Sequence, residues 1–212
     1  MTDIAPRVDH TLLDKDAPAS EYDELAEEAD ELGTNVCVPP SRLDRVPEGF
    51  GGEVVAVVGF PHGTTTPEAK AKEARLCAGS GATEVDTACN VSLLKSDEYD
   101  AFVRDVRAVA EEVPATKAII ETGLLSDDEK RRAARLCVEA GADYIKTCTG
   151  YAPGEATVED VRLLKDVVGD DALVKASGGV RDAEGAVRLL DAGASRIGAS
   201  AGDEIVRGAR EL

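Results

Sequence analysis

Aromatic residues make up 3% of this 212-residue chain and tryptophan is absent, so the core has to be assembled from Val, Leu, Ile and Ala. A β-branched and aliphatic core of that kind suits a parallel sheet covered by helices on both faces. Basic residues are also scarce, 24 against 42 acidic ones for a net charge of -18, and only nine of them are lysine. Such a chain repels phosphate backbones and anionic lipid surfaces, which argues against nucleic-acid and membrane partners. No apolar run reaches the roughly 18 residues needed to cross a bilayer, and no export signal opens the chain. The five cysteines, Cys37, Cys77, Cys89, Cys137 and Cys148, are odd in number and form no C-x-x-C pair. A reducing, cytoplasmic setting without a disulfide framework is the expectation. With only His10 and His62 and no metal-ligand spacing, no zinc site is expected. The first strand-to-helix turn lacks G-x-G-x-x-G, which weakens a doubly wound nucleotide-binding sheet as the runner-up architecture.

The acidic residues concentrate in stretches with helical spacing, such as Glu21 to Glu31 and Ser126 to Arg132. A solvated, strongly acidic face of this kind suits a protein working in high salt, where screening relieves carboxylate repulsion.

Short β-branched segments alternate with helical ones from end to end. Strands are predicted near Val8–Leu13, Thr34–Val38, Glu53–Phe60, Thr83–Thr87, Thr116–Thr122, Asp143–Thr147, Ala172–Ser177 and Ser195–Ala199. Helices are predicted from Ser20, which with Asp23 resembles a capping box, to Leu32 with Gly33 as its stop. Further helices are expected over 67–80, 97–113, 126–140, 157–168 and 182–192, and from Gly202, so that each strand is followed by a helix. Eight such units predict an α/β chain in which residues 1–212 form one (β/α)8 TIM-barrel domain.

In such a barrel the chemistry gathers at the C-terminal strand ends. The polar residues there are Asp9 and Thr11, Asn35 and Cys37, His62, Asp86, Glu121 and Thr122, Lys146 and Thr149, Lys175 and Ser177, and Gly198 and Ser200. Lys146 and Lys175 stand out, because lysine is rarely buried without a partner and these two sit in apolar runs at equivalent positions. Two ammonium groups in one apolar pocket favour loss of a proton from one of them, and a neutral amine is what imine formation requires. Asp86 can protonate or orient a hydroxyl during carbon–carbon cleavage, or pair with a lysine. Cys37 has no base patterned beside it and is read as inert packing rather than as a nucleophile. Ser177-Gly178-Gly179 and Gly198-Ala199-Ser200 occupy the loops where barrels bind phosphate. Lys117, at the start of its strand, is assigned a structural role on the opposite face.

Eight segments in order, Asp9-His10-Thr11-Leu12-Leu13, Asn35-Val36-Cys37-Val38, Val58-Gly59-Phe60-Pro61-His62-Gly63, Glu84-Val85-Asp86, Ile119-Ile120-Glu121-Thr122-Gly123, Tyr144-Ile145-Lys146-Thr147-Cys148-Thr149-Gly150, Val174-Lys175-Ala176-Ser177-Gly178-Gly179-Val180-Arg181 and Gly193-Ala194-Ser195-Arg196-Ile197-Gly198-Ala199-Ser200, together resemble the deoxyribose-phosphate aldolase family. The resemblance implies a class I lyase that reversibly cleaves 2-deoxy-D-ribose 5-phosphate to D-glyceraldehyde 3-phosphate and acetaldehyde, in deoxyribonucleoside catabolism, without metal or other cofactor. It implies Lys146 as the Schiff-base lysine, Lys175 as the lysine that eases its deprotonation, and Asp86 as the proton donor and acceptor. Asp9, Thr11, Cys37, Thr149, Ser177, Gly178, Gly179, Gly198 and Ser200 are then the expected substrate and phosphate contacts, and a homo-oligomer is expected. Cys148 stands where members commonly carry serine, and the chain stops at Leu212, short of the tail whose terminal tyrosine assists proton transfer in some members. The competing expectations are another Schiff-base aldolase, acting on a ketose phosphate or a keto-deoxy sugar acid, and a non-catalytic phosphosugar-binding barrel.

Overall fold

Glycine, proline and capping side chains cut the chain into its elements, and the computed structural model describes residues 3–212. Eight strands form: β1 Val8–Thr11, β2 Asn35–Val38, β3 Val54–Val58, β4 Glu84–Ala88, β5 Thr116–Ile119, β6 Tyr144–Lys146, β7 Leu173–Ser177 and β8 Arg196–Ala199. All neighbouring pairs are parallel and β8 closes onto β1, giving the expected barrel. The helices are α1 Ala19–Leu32, α2 Pro67–Gly79, α3 Val91–Lys95, α4 Tyr99–Ala110, α5 Asp127–Glu139, α6 Val158–Val168, α7 Ala183–Asp191 and α8 Gly202–Ala209.

Local chemistry explains most boundaries. Thr66, Thr157 and Asp182 each accept a backbone N–H in the first turn of α2, α6 and α7, and Ser126 with Glu129 makes a full capping box on α5. Each such cap contributes about 1 kcal/mol. Gly33 ends α1 at φ +77°, the left-handed conformation that lets its N–H reach Ala29 O.

Three expectations need correction. Ser20 does not cap α1; the helix begins one residue earlier behind Pro18, with no side-chain cap. The segment after β2 is a 3-10 turn, Pro40–Arg45, because two prolines and a short connection leave no room for a full helix. The helix predicted over 97–113 forms as α4, Tyr99–Ala110, but a short helix that was not expected, α3, precedes it, the two being separated at Asp97 with φ +58°.

The apolar core lies between the barrel and its helices, not inside the barrel. Ile120, Ile145, Val174 and Ile197 point outward onto Phe102, Val106, Leu164 and Ile205. Inside, the apolar part is small, with Cys37, Val55 and Val57 packed by Leu13 and Phe60 on the β2 and β3 side. The rest of the interior carries charge, unlike the branched aliphatic layers that usually fill such barrels.

Candidate active site

Strand alternation sends Asp9, Glu84, Asp86, Lys117, Lys146, Lys175 and Arg196 to the barrel interior, where all seven are buried. The register brings them level: Asp86 pairs with Lys117, and Lys146 with Lys175, which in turn pairs with Arg196. Lys146 Nζ and Lys175 Nζ each donate to the same oxygen, Asp86 Oδ2, at 2.6 Å. Lys175 Nζ also donates to Asp9 Oδ2 at 2.5 Å. Arg196 spans Asp9 Oδ1 at 2.7 Å and Glu84 Oε1 at 3.2 Å, and Asn35 Nδ2 donates to Asp9 Oδ1 at 3.1 Å.

Lys117 overturns its expected placement. Its Nζ lies 2.5 Å from Glu84 Oε2 and 3.2 Å from Asp86 Oδ1, ion contacts that complete the cluster from below. The start of a short barrel strand is still inside the barrel, and the register sets Lys117 beside Asp86, so its ammonium reaches both Asp86 and Glu84. Tyr144 closes the floor, with the Lys117 and Arg196 cations 5.5 and 5.9 Å from its ring centre.

The electrostatics follow from these contacts. Burial alone would push Asp86 up, but Lys146, Lys175 and Lys117 together hold it well below the ordinary carboxylate range. Asp9 is likewise lowered, against its burial, by Lys175, Lys117 and Arg196. Burial pulls Lys175 down, yet Asp86 and Asp9 outweigh it and hold Lys175 above an ordinary lysine. Lys117 is raised in the same way, chiefly by Asp86 against its burial. Burial and the nearby Asp86 push the Cys37 thiol up to about 11, which makes it inert packing.

Above the cluster, at the C-terminal end of the barrel, lies a cavity of about 390 Å³. Lys146 is the one basic member of the cluster that lines it, and it remains 4% exposed while Lys175 and Lys117 are fully covered. Of the expected contacts, Thr11, Thr149, Ser177, Gly178, Gly179, Gly198 and Ser200 line the same cavity. Asp9 and Cys37 do not; both are fully buried beneath it. Gly178 and Gly179 take φ +92° and +76°, turning the chain so that this loop forms one wall beside the start of α8. Ser177 is fixed there by donating to Cys148 O at 2.7 Å.

Glu84, Lys117 and Arg196 were absent from the expected site. The signal was available in the period-two spacing of Glu84 with Asp86 and of Arg196 with Gly198, which puts each pair on one face. Elsewhere, His10, Glu28 and Asp203 bring ligand atoms within 4.8 Å of one another. Arg207 already fills the cation's place there, donating to Glu28 Oε1 at 2.7 Å and Asp203 Oδ2 at 2.9 Å. Among the described residues no helix is long and apolar enough to cross a membrane.

Comparison with known proteins gives a consistent result. The family described as DeoC/LacD family aldolase matches residues 4–208. The chain is 46% identical to the deoxyribose-phosphate aldolase of Staphylococcus carnosus, over 97% of this chain and 96% of that one. With the deoxyribose-phosphate aldolase of Brevibacillus brevis it shares 48% identity over 96% and 95%. Among solved structures, one described as QR15, an aldolase, superimposes with a TM-score of 0.95 at 37% identity, covering 100% of this chain and 97% of that one. A tetrameric deoxyribose phosphate aldolase from Aeropyrum pernix superimposes at 0.91 with 29% identity, over 99% and 92%.

Proposed function

The chain belongs to the DeoC/LacD family of aldolases, and on that premise we propose that it reversibly cleaves 2-deoxy-D-ribose 5-phosphate to D-glyceraldehyde 3-phosphate and acetaldehyde through an imine on Lys146. The observation that carries the lysine assignment is the sharing of Asp86 Oδ2 by Lys146 and Lys175, with only Lys146 lining the cavity.

Charge balance supports the choice of nucleophile. Four basic groups, Lys117, Lys146, Lys175 and Arg196, face three carboxylates, Asp9, Glu84 and Asp86, in a buried interior. A surplus buried charge is costly, so the cluster favours releasing one proton. Arg196 cannot release one, and Lys175 and Lys117 are held protonated by their carboxylates. Lys146 is the one basic member of the cluster that lines the cavity, where a substrate carbonyl can reach it.

The steps follow. The amine attacks the substrate aldehyde carbon, and the resulting carbinolamine loses water to give an iminium. The hydroxyl on the third carbon then yields its proton, the bond between the second and third carbons breaks, and its electron pair moves into the iminium as an enamine. D-glyceraldehyde 3-phosphate leaves. Protonation of the enamine and hydrolysis release acetaldehyde and restore Lys146. Asp86 and Lys175 form the proton-transfer pair beneath the reacting carbon, since they contact Lys146 or its partner oxygen directly. The iminium is the electron sink, so no step calls for a cofactor or metal.

The substrate phosphate is assigned to Ser177, Gly178, Gly179, Gly198 and Ser200, whose backbone amides beside the α8 N-terminus suit an anion. Thr11 and Thr149 line the path between phosphate and Lys146. Asp9 acts from below by fixing Lys175, and Cys37 supplies packing. The reading takes residues 1–212 as one cytoplasmic aldolase domain working in deoxyribonucleoside breakdown, in a homo-oligomer; the Aeropyrum pernix relative, described as tetrameric, supports the last point.

The test is reductive trapping. Borohydride with deoxyribose 5-phosphate should add a covalent mass that peptide mapping places on Lys146. Acetaldehyde among the products supports this substrate, whereas dihydroxyacetone phosphate or pyruvate supports another aldolase.

A further inference from the structure

Glu121 combines two unusual features. It is a non-glycine residue in the left-handed region, φ +58° and ψ +66°, two residues past the end of β5. It is also a buried carboxylate, 5% exposed, whose two oxygens both accept from a single residue: Thr149 N at 3.0 Å on Oε1 and Thr149 Oγ1 at 2.7 Å on Oε2. A left-handed backbone at an ordinary residue persists only where its surroundings hold it. Here the surroundings are the loop that follows Lys146. Ile120 N donates to Lys146 O and Thr122 N to Thr147 O, both at 3.0 Å. A methyl group added to Gly123 would come 2.1 Å from Pro153 O, so the two segments are pressed together along their length.

The hydrogen bonds fix the polarity of Thr149. Its hydroxyl has one hydrogen and two lone pairs. The hydrogen goes to Glu121, and one lone pair accepts Tyr151 N–H at 3.1 Å. What remains for the cavity that Thr149 lines is one lone pair. We propose that Glu121 is a positioning residue that makes Thr149 an acceptor-only contact, selecting substrates that present a hydroxyl there as donor.

The inference rests on the aldolase reading above and names a specificity determinant within it. In the synthetic direction the relevant acceptors are 2-hydroxyaldehydes carrying a phosphate. An analogue with fluorine in place of the 2-hydroxyl has nearly the same size and no hydrogen to donate, so it meets the Thr149 lone pair with another lone pair.

The experiment compares addition of acetaldehyde to glyceraldehyde 3-phosphate and to its 2-fluoro analogue. The wild-type chain should prefer the hydroxylated acceptor about three- to tenfold in kcat/KM, the size of one uncharged hydrogen bond. In Glu121→Gln the amide can donate to Thr149 Oγ1, which frees the hydroxyl hydrogen for the cavity, and the preference should shrink toward unity. Glu121→Gly removes the clamp while relieving the left-handed backbone, so it should lose the preference with no fall in Tm. Borohydride trapping of acetaldehyde alone, which carries no hydroxyl, should proceed on Lys146 of the wild-type chain. Retention of the full wild-type preference in both variants, or a wild-type chain that treats the two acceptors alike, overturns the role of Glu121. Failure of the wild-type chain to trap acetaldehyde on Lys146 overturns the aldolase reading itself, and the proposal with it.

Discussion

Lys146 and Lys175 meet on one oxygen, Asp86 Oδ2, each at 2.6 Å, so their nitrogens can be no further apart than twice that distance. At such range two ammonium groups repel strongly in a closed interior, and one carboxylate oxygen cannot fully satisfy both. The two sit at different depths, Lys146 at the cavity wall and Lys175 beneath it.

Replacing each lysine by leucine should separate the two roles. Lys146→Leu removes the nucleophile, and substrate trapping should be absent at every pH. Lys175→Leu leaves three basic groups against three carboxylates, so the cluster no longer has a surplus proton to shed and trapping at neutral pH should fall about a hundredfold, the equivalent of roughly 2.7 kcal/mol. Raising the pH should recover part of that rate. Trapping that survives in Lys146→Leu but never appears in Lys175→Leu would exchange the assignments.

The cluster also sets a pH window for stability. Asp86 and Asp9 are held below their ordinary value of 3.8, so their contribution is complete above that value and is lost as pH falls below it. Lys175 and Lys117 are held above 10.5, so theirs is complete below that value and lost only in stronger base. Thermal melts from about pH 5 to 9 should therefore show little change from these four groups, with a decline setting in below about pH 4. Asp86→Asn breaks a buried ion cluster on one side and should cost about 3 to 5 kcal/mol at neutral pH.

Two glycines should respond differently to an added side chain. At Gly179 the new carbon would sit 2.4 Å from Glu155 Cδ, in the loop to which the substrate phosphate is assigned. Gly179→Val should raise KM for deoxyribose 5-phosphate about tenfold or more, the loss of at least one charge-assisted contact, with little change for unphosphorylated deoxyribose. At Gly198 it would come 2.9 Å from Lys175 Cε. Gly198→Ala should depress turnover of both sugars alike, because it displaces a lysine that both need.

The acidic surface predicts a salt requirement. On α1, Glu21, Asp23, Glu24, Glu27, Asp30 and Glu31 are all exposed, six carboxylates on one helix. At about 10 mM salt the screening length reaches roughly 30 Å, and repulsion across such a surface is felt in full. The Tm should climb as potassium chloride is raised from tens of millimolar to molar. A Tm indifferent to salt would count against a halophilic surface.

Most of the barrel was legible in the chain because its strands are buried on both faces and its helices carry strong stop and start signals. Gly33, Pro67 and Ser126 each marked a boundary that a single residue controls. What could not be read was anything decided by side-chain reach across strands. Lys117 looked remote because the start of its strand was taken for the opposite face, yet the register sets it beside Asp86 inside the barrel. Arg196 and Glu84 were passed over for the same reason, since each looks like an ordinary strand-end charge until β8, β1 and β4 are seen to share one interior. Glu121 was noted among the strand-end polar residues, but its left-handed backbone and its hold on Thr149 are properties of the fold alone.

The charged interior constrains how this sequence can drift. Of the seven ionic side chains in the barrel, each of Asp9, Glu84, Asp86, Lys117, Lys175 and Arg196 touches at least two others, so neutralising one orphans another in the buried interior. An orphaned buried charge is more damaging than the loss of the pair as a whole. Substitutions here are therefore tolerated in matched sets, such as Lys117 together with Glu84, and rarely one at a time. Such sets should appear in relatives as correlated changes on β4, β5 and β8, leaving a lineage that alters its floor in jumps while its outer helices diverge residue by residue.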